Sequence, residues 1–360
     1  MINGKGMYLW LLTRSEDIRW IVWLAKHAGL GHVLIKIADG TELSIGDITQ
    51  LVESLHLEGI QAIGWQYIYY GSIAEADTAI RLCQQFGIDG FIVNAENQFD
   101  HAGMDGAARN YMSRLRSGLG DDFVIGLSSY RYPSQHADFP WKSFLTYCNI
   151  NMPQVYWIQD ERLSAPVRQS IQCVNEFKAL YTTWGWSIPI LMTGAAFSEH
   201  GWVASPEQVK NFLDAVNALA DKESIVMRSC NFWEWWEART ENPSLWPIIS
   251  QYEWSFTPMS DFNQWAEDVT LALRSQDFTI SDPPITCLPD PETFQVRFDN
   301  TVNLRKTAGG TDIGDVKGLV LCTQPTQKAP YSGIWYEWAQ VIEPAQWAGG
   351  WVAIDLGVRV

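Results

Sequence analysis

The chain has 360 residues, 47% of them hydrophobic, with 25 Lys and Arg against 41 Asp and Glu, a formal net charge of −16 and a pI near 4.7. A chain this long and this apolar buries a large core and is not a disordered one. The acidic balance, without a basic run, argues against an electrostatic grip on DNA or RNA and against binding to an anionic membrane surface.

The N-terminal segment "MINGKGMYLWLLTRSEDIRW" has too short an apolar core for a secretory leader, and Arg14, Glu16 and Asp17 interrupt it. No apolar run reaches the roughly 18 residues of a membrane span. The expectation is a protein without a classical signal, cytoplasmic at synthesis, and either phage-encoded or released to act on the cell wall.

From residue 7 onward short apolar runs alternate with amphipathic ones. The predicted strands are "MYLWLL" (from Met7), "HVLIKIA" (from His32), "AIGWQYIYY" (from Ala62), "GFIVNA" (from Gly90), "FVIGLSS" (from Phe123), "INMPQVYW" (from Ile150), "IPILMTG" (from Ile188) and "IVMRSCNFWEW" (from Ile225). Their continuous apolar character suits strands buried on both faces of a parallel sheet. Between them Ser44-x-x-Asp47 and Ser72-x-x-Glu75 read as capping boxes, and Ser205-Pro206 with Gln208 as a third helix start. Segment 205–220 sets Val209, Phe212, Leu213, Val216 and Leu219 on one stripe. Eight strands with intervening helices over residues 1–248 have the rhythm of a (β/α)8 TIM barrel. A doubly wound sheet would carry a Gly-rich turn after its first strand, and "LWLLTRSED" has none.

Residues 249–292 read as a helix-containing linker. Its helix is "SDFNQWAEDVTLALRSQ", with Ser260 as N-cap, and "SDPPITCLPDPE" follows. Residues 293–360 read as short strands and turns, a small all-β barrel. The order Val302-Asn-Leu304-Arg305, Gly309-Gly310, Gly314, Val316, Gly318, Trp335 and Gly350-Trp351-Val352 resembles the bacterial SH3-like domain. That resemblance implies a module that binds peptidoglycan or its cross-bridges.

Cysteines at 83, 148, 173, 230, 287 and 322 form no Cys-x-x-Cys pair, and no His-Glu-x-x-His occurs. They read as reduced, buried thiols, and no metal or cofactor is expected. The 19 tryptophans are the most unusual count. Flat, weakly hydrated aromatic faces suit the C–H faces of sugars, so several are expected to line a glycan groove, with core packing as the other use.

The stretch "DGFIVNAENQFD" (Asp89–Asp100) concentrates the chemistry. Strand side chains alternate, so Asn94 and Glu96 share a face with Ile92, and in a barrel both point into the mouth at the C-terminal strand ends. A carboxyl group at such a rim is partly desolvated, a setting that suits a general acid. The expected chemistry has Glu96 protonating a glycosidic oxygen while Asn94 holds a 2-acetamido group whose carbonyl attacks the anomeric carbon, so that no protein nucleophile is needed.

"DGFIVNAEN" resembles the strand-four signature of endo-β-N-acetylglucosaminidases that use Asn-x-Glu, and the Asp-Gly-x-Asp-x-Asp-x-Glu strand of chitinase-like barrels. There Asp89, Gly90 and Glu96 match, whereas Ile92 and Asn94 stand for aspartates. Muramidase-like barrels carry Asp-x-Glu on this strand. The resemblance implies a glycosidase acting on N-acetylated glycans, peptidoglycan above all, and it assigns to Tyr156 a hydroxyl contact with the acetamide. Trp65, Tyr67, Tyr69, Tyr130, Gln154 and Tyr156 at other strand ends are further candidate sugar contacts, and Trp233 and Trp235 a candidate sugar floor. Lys36 and Asp39 read either as a rim ion pair or as a binding cation and a second site carboxylate; Glu234 is another acid that a double-carboxylate mechanism could use. A glycan-binding or assembly protein on a degenerate barrel is the competing reading, favoured by Asn94.

Overall fold

The structure, a computed structural model, describes residues 2–10, 12, 18–44, 46 and 48–254, together with the backbone of six strands between Thr293 and Arg359. The chain divides into two compact units, one holding the described residues up to Trp254 other than residues 18–20, and the other those three residues with the C-terminal strands.

All eight predicted runs are strands: β1 (Gly4–Leu9), β2 (Leu30–Asp39), β3 (Gln61–Tyr67), β4 (Gly90–Asn94), β5 (Val124–Tyr130), β6 (Ile150–Val155), β7 (Ile190–Ala195) and β8 (Val226–Trp233). Each is parallel to its neighbours, and β1 pairs with both β2 and β8, so the sheet closes on itself as an eight-stranded barrel. Helices α1 (Ile18–His27), α2 (Thr49–Leu57), α3 (Ile73–Phe86), α4 (Asp105–Leu119), α5 (Trp141–Leu145), α6 (Ala165–Trp184), α7 (Pro206–Lys222) and α8 (Leu245–Gln251) alternate with the strands. This is a (β/α)8 TIM barrel.

Alternation sorts each strand into two faces. Tyr8, Leu34, Ile63, Trp65, Ile92, Ile150, Met152 and Leu191 form one buried cluster. Phe91 and Val93, the other face of β4, are fully buried as well. The stripe Val209, Phe212, Leu213, Val216 and Leu219 is the buried face of α7. A Cβ on Gly194 of β7 would lie 2.6 Å from the Phe212 ring, so this strand needs glycine where the helix presses on it.

Two of the three expected caps form. Ser72 with Glu75 and Ser205 with Gln208 make reciprocal capping boxes at α3 and α7. Ser44 does not cap: α2 begins at Thr49, with Ile48 at its N-cap. The Ser44 N–H instead donates to the Ile37 carbonyl at 3.2 Å, prolonging the hairpin that follows β2.

Lys5, on β1, is buried and donates from Nζ to the carbonyls of Ile249, Ser250 and Tyr252 at 2.8, 2.9 and 2.9 Å. These are orphan carbonyls at the C-terminal end of α8. Burial lowers the Lys5 ammonium to about 8. Between that value and the usual lysine range the folded state has released a proton that the unfolded chain still holds, so this group adds stability as pH rises across that window. The buried thiols of Cys83, Cys148, Cys173 and Cys230, raised by burial, act in the opposite sense. Lys5→Met leaves the three carbonyls without their donor and is expected to cost about 1–3 kcal/mol at pH 7. In denaturant titrations its deficit against wild type should widen from about pH 8 upward.

The C-terminal strands, Thr293–Arg305, Asp312–Thr323, Gln327–Tyr331, Ile334–Glu343, Trp351–Ala353 and Val358–Arg359, pair antiparallel throughout. The predicted Ser260 helix and the proline-rich segment lie outside the described residues. Helix α8 crosses residue 248, the boundary expected from sequence. Among the described residues no helix is long and apolar enough to cross a membrane.

Candidate active site

A cavity of about 500 Å³ opens among the C-terminal strand ends, lined by Trp10, Lys36, Asp39, Trp65, Tyr67, Tyr69, Asn94, Glu96, Gln154, Tyr156, Phe197, Glu199 and Trp233. Ile92 lies in the barrel cluster, and Asn94 and Glu96, two and four residues on, line this cavity.

Glu96 sits in a network of amides. Its Oε1 accepts from Asn94 Nδ2 at 3.2 Å and from Gln154 Nε2 at 2.9 Å. Gln154 Nε2 also lies 3.0 Å from Asn94 Oδ1 and 3.2 Å from Ser128 Oγ. The network fixes the Asn94 amide: its oxygen turns to Gln154 and its nitrogen to Glu96. No ion pair reaches Glu96 among the described residues; Lys36 binds Asp39, and Arg131 donates to the Tyr156 carbonyl at 2.7 Å. Its second oxygen, Oε2, has no protein partner among the described residues, so a group entering the cavity can meet it.

Aromatic rings wall the space. Trp233 meets Tyr8, Trp10 and Trp65 at centroid distances of 5.4, 6.0 and 5.5 Å. Tyr156 stands edge-on to Phe197 at 5.2 Å. Burial, with the neighbouring Tyr8 and Glu96, raises the Tyr156 hydroxyl far above its usual range, so it stays a proton donor. Tyr67 donates to Gln98 Oε1 at 2.7 Å, and burial together with the Glu96 charge raises it too.

Lys36 and Asp39 both line the cavity, which a regular strand would forbid, because residues three apart face opposite ways. The β2–β3 register slips between Lys36 and Ala38, so Lys36 pairs with Trp65 but Ala38 with Gln66. This bulge re-aims the end of the strand and brings both side chains to the mouth. Lys36 Nζ lies 3.0 Å from Asp39 Oδ2 and 5.2 Å from the Trp65 ring centre, and Tyr69 donates to Asp39 Oδ1 at 2.9 Å. That bond holds the Tyr69 hydroxyl up at about 12. Gly40, at φ 55°, turns the chain just beyond, and a Cβ there would press on the Tyr69 ring at 3.1 Å. Buried Glu75 anchors the Tyr69 loop, accepting from the Tyr69 N–H at 2.7 Å and the Ser72 N–H at 2.8 Å.

Two expected sugar contacts stand elsewhere. Trp235 is fully buried and packs edge-on against Trp246 at 5.3 Å. Strand β8 ends at Trp233 and a helical turn follows, so the two-residue alternation that paired the tryptophans stops short of 235. Tyr130 is not among the cavity-lining residues; it stacks on His136 at 3.5 Å, and His136 meets Asp100 at 2.7 Å. Glu234 and Glu237 serve the chain itself: Glu234 accepts from the Trp236 and Glu237 N–H groups at 3.2 and 2.9 Å, and Glu237 from Ser198 at 2.9 Å. Sequence reasoning missed Trp10, Phe197 and Glu199. Continuing the alternation from Tyr8 would have found Trp10. Phe197 and Glu199 come from the chain entering a short ribbon, Ser198–Glu199 with Trp202–Val203, which no periodicity announces.

No family model matches the chain, and no curated protein matches it. Solved structures do. A GH18 chitinase from Pseudoalteromonas aurantia is similar over 69% of this chain and 100% of its own, at 9% identity and a TM-score of 0.51. The spore cortex-lytic enzyme SleL of Bacillus megaterium QM B1551 is similar over 70% of this chain and 74% of its own, at 10% identity and a TM-score of 0.50. Active domain 2 of a thermostable chitinase from Pyrococcus furiosus, in its catalytic-site mutants, is similar over 78% of this chain and 98% of its own, at 11% identity and a TM-score of 0.50. At such identities the likeness shows a shared barrel fold.

Proposed function

We propose that this protein is a retaining glycoside hydrolase acting on N-acetylated glycans, peptidoglycan above all, with Glu96 as general acid and base. The observation that carries this reading is the placement of Glu96: one oxygen held by two amides, the other open to an aromatic-walled cavity at the C-terminal end of the barrel. Asp39 lines the same cavity but is held by Lys36 and Tyr69, which favours a mechanism without a protein nucleophile. Protonated Glu96 gives its proton to the glycosidic oxygen as that bond breaks. The acetamide carbonyl of the same sugar closes onto the anomeric carbon, giving a cyclic oxazolinium ion. Glu96, now a carboxylate, takes a proton from water; the hydroxide reopens the ring, and the configuration is retained. Asn94 and the Tyr156 hydroxyl orient the acetamide. The fold-mates named as chitinases and as a cortex-lytic enzyme agree with this substrate class.

We also propose, from the sequence resemblance alone, that residues 293–360 are a bacterial SH3-like module that binds cell wall, which would raise the effective concentration of the barrel on a polymer. The test of the hydrolase reading is direct. Wild type is expected to release reducing ends from N-acetylglucosamine oligomers with retained anomeric configuration by NMR, and a thiazoline analogue of the cyclised acetamide should inhibit it. Inverted product would overturn the substrate-assisted route. Binding of oligomers without any turnover would favour a glycan-binding protein, the reading that Asn94 in place of an aspartate supports.

A further inference from the structure

The Lys36–Asp39–Tyr69 cluster sits in the same cavity as Glu96 but takes no part in the proton transfer, and its chemistry narrows the substrate. The Lys36 side chain is 9% exposed and that of Asp39 39%. A lysine ammonium has three donors. One is spent on Asp39 Oδ2 at 3.0 Å, and the Trp65 face lies on the charge at 5.2 Å. Asp39 has two oxygens with about four acceptor positions between them. Lys36 and Tyr69 take one on each oxygen. The cluster thus keeps at least one N–H and one or two carboxylate lone pairs for a ligand, side by side and with charges that cancel.

We propose that this pair is a clamp for a neutral hydroxyl-bearing sugar, one whose hydroxyls both accept from Lys36 and donate to Asp39, and that it discriminates against sugars carrying an ionised carboxylate. The inference rests on the hydrolase reading only in taking the ligand to be a glycan. A carboxylate on the sugar would meet Lys36 but would also meet Asp39, with no proton to offer it. The rest of the lining sharpens the bias: Asp39, Glu96 and Glu199 are acids, and among the described residues that line the cavity Lys36 is the single lysine or arginine. Like charges brought together in a partly buried cleft cost affinity and serve to reject wrong partners. A sugar unit with free hydroxyls, such as N-acetylglucosamine, therefore occupies the clamp. A muramic acid with a free lactyl carboxylate, or a uronic acid, does not.

The test uses the full chain carrying Glu96→Gln, so that ligands bind without turnover, and two ligands: N-acetylglucosamine oligomers and the same oligomers oxidised to carboxylates at C6 of every unit. By calorimetry the neutral oligomer is expected to bind about tenfold tighter or more, the size of one displaced like-charge contact. Adding Asp39→Asn should narrow that ratio, because a repelling charge is gone. Adding Lys36→Met should widen it, because the attracting charge is gone. Tyr69→Phe, which leaves both charges in place and disturbs the fold least, should widen it slightly by removing a donor that offsets the Asp39 charge. Equal or tighter binding of the oxidised oligomer overturns the clamp while leaving the hydrolase reading intact. So does a shift in the same direction for Asp39→Asn and Lys36→Met. Failure of Glu96→Gln to bind either oligomer overturns the glycan reading itself.

Discussion

Glu96→Gln is expected to lower kcat/KM on an N-acetylated glycan by about 10²–10⁴-fold, the share of a rate that a positioned proton donor contributes. The substitution is nearly isosteric. The new amide oxygen can still accept from Asn94 and Gln154, so the network and the fold survive. On the proposed mechanism the loss is of the carboxyl oxygen without a protein partner among the described residues, and with it of both the proton for the leaving group and the base that activates water. Reducing-end release and a melting curve, measured side by side, check this. A variant that melts like wild type yet keeps more than a tenth of its rate would remove Glu96 from the reaction.

The second large effect is expected at Asn94. Asn94→Ala should reduce kcat by roughly 10²-fold, the size found when one preorganised donor is removed from a site of developing charge. KM should move less, because the aromatic walls and the Lys36–Asp39 pair continue to hold the sugar. The fold tolerates the change for a visible reason: Gln154 Nε2 keeps acceptors in Glu96 and Ser128 after Asn94 Oδ1 is gone. Gln154→Leu should lower kcat in the same direction by a smaller factor, since it leaves Asn94 in place but free to turn its amide. Steady-state kinetics on N-acetylglucosamine oligomers separate the two parameters. A rise in KM with kcat unchanged in Asn94→Ala would mean that this residue only binds, and would return the acetamide to another partner.

The barrel was legible because each of its strands is an apolar run bounded by helix starts, and parallel strands buried on both faces leave that mark. Asn94 was legible because β4 is regular up to its end there, and Glu96, two residues on, because the Ala95 N–H still bonds the Ser128 carbonyl at 3.2 Å and carries the ladder one step further. The rule failed where the backbone stops being a strand. Trp235 was grouped with Trp233 across the end of β8, and a helical turn took it into the core instead. Lys36 and Asp39, three apart, carried no signal that they face the same way, because a register slip is a property of two strands and is not written in either alone. Ser44 had the composition of a cap, but hairpin pairing claimed its N–H first. Phe197 and Glu199 enter from a ribbon whose place is set by tertiary contacts, among them the Ser198 hydroxyl on Glu237.

The slipped register in β2 also separates two things that could otherwise vary only together. Adding or deleting one residue between Lys36 and Ala38 would exchange which side chains reach the opening, since a one-residue slip turns a strand end over. The rungs from His32 to Ile35 would stay in step with β3, and β4 would be untouched. Short indels at this one strand end would therefore change the side chains at the opening while the strand that carries Asn94 and leads to Glu96 stays fixed.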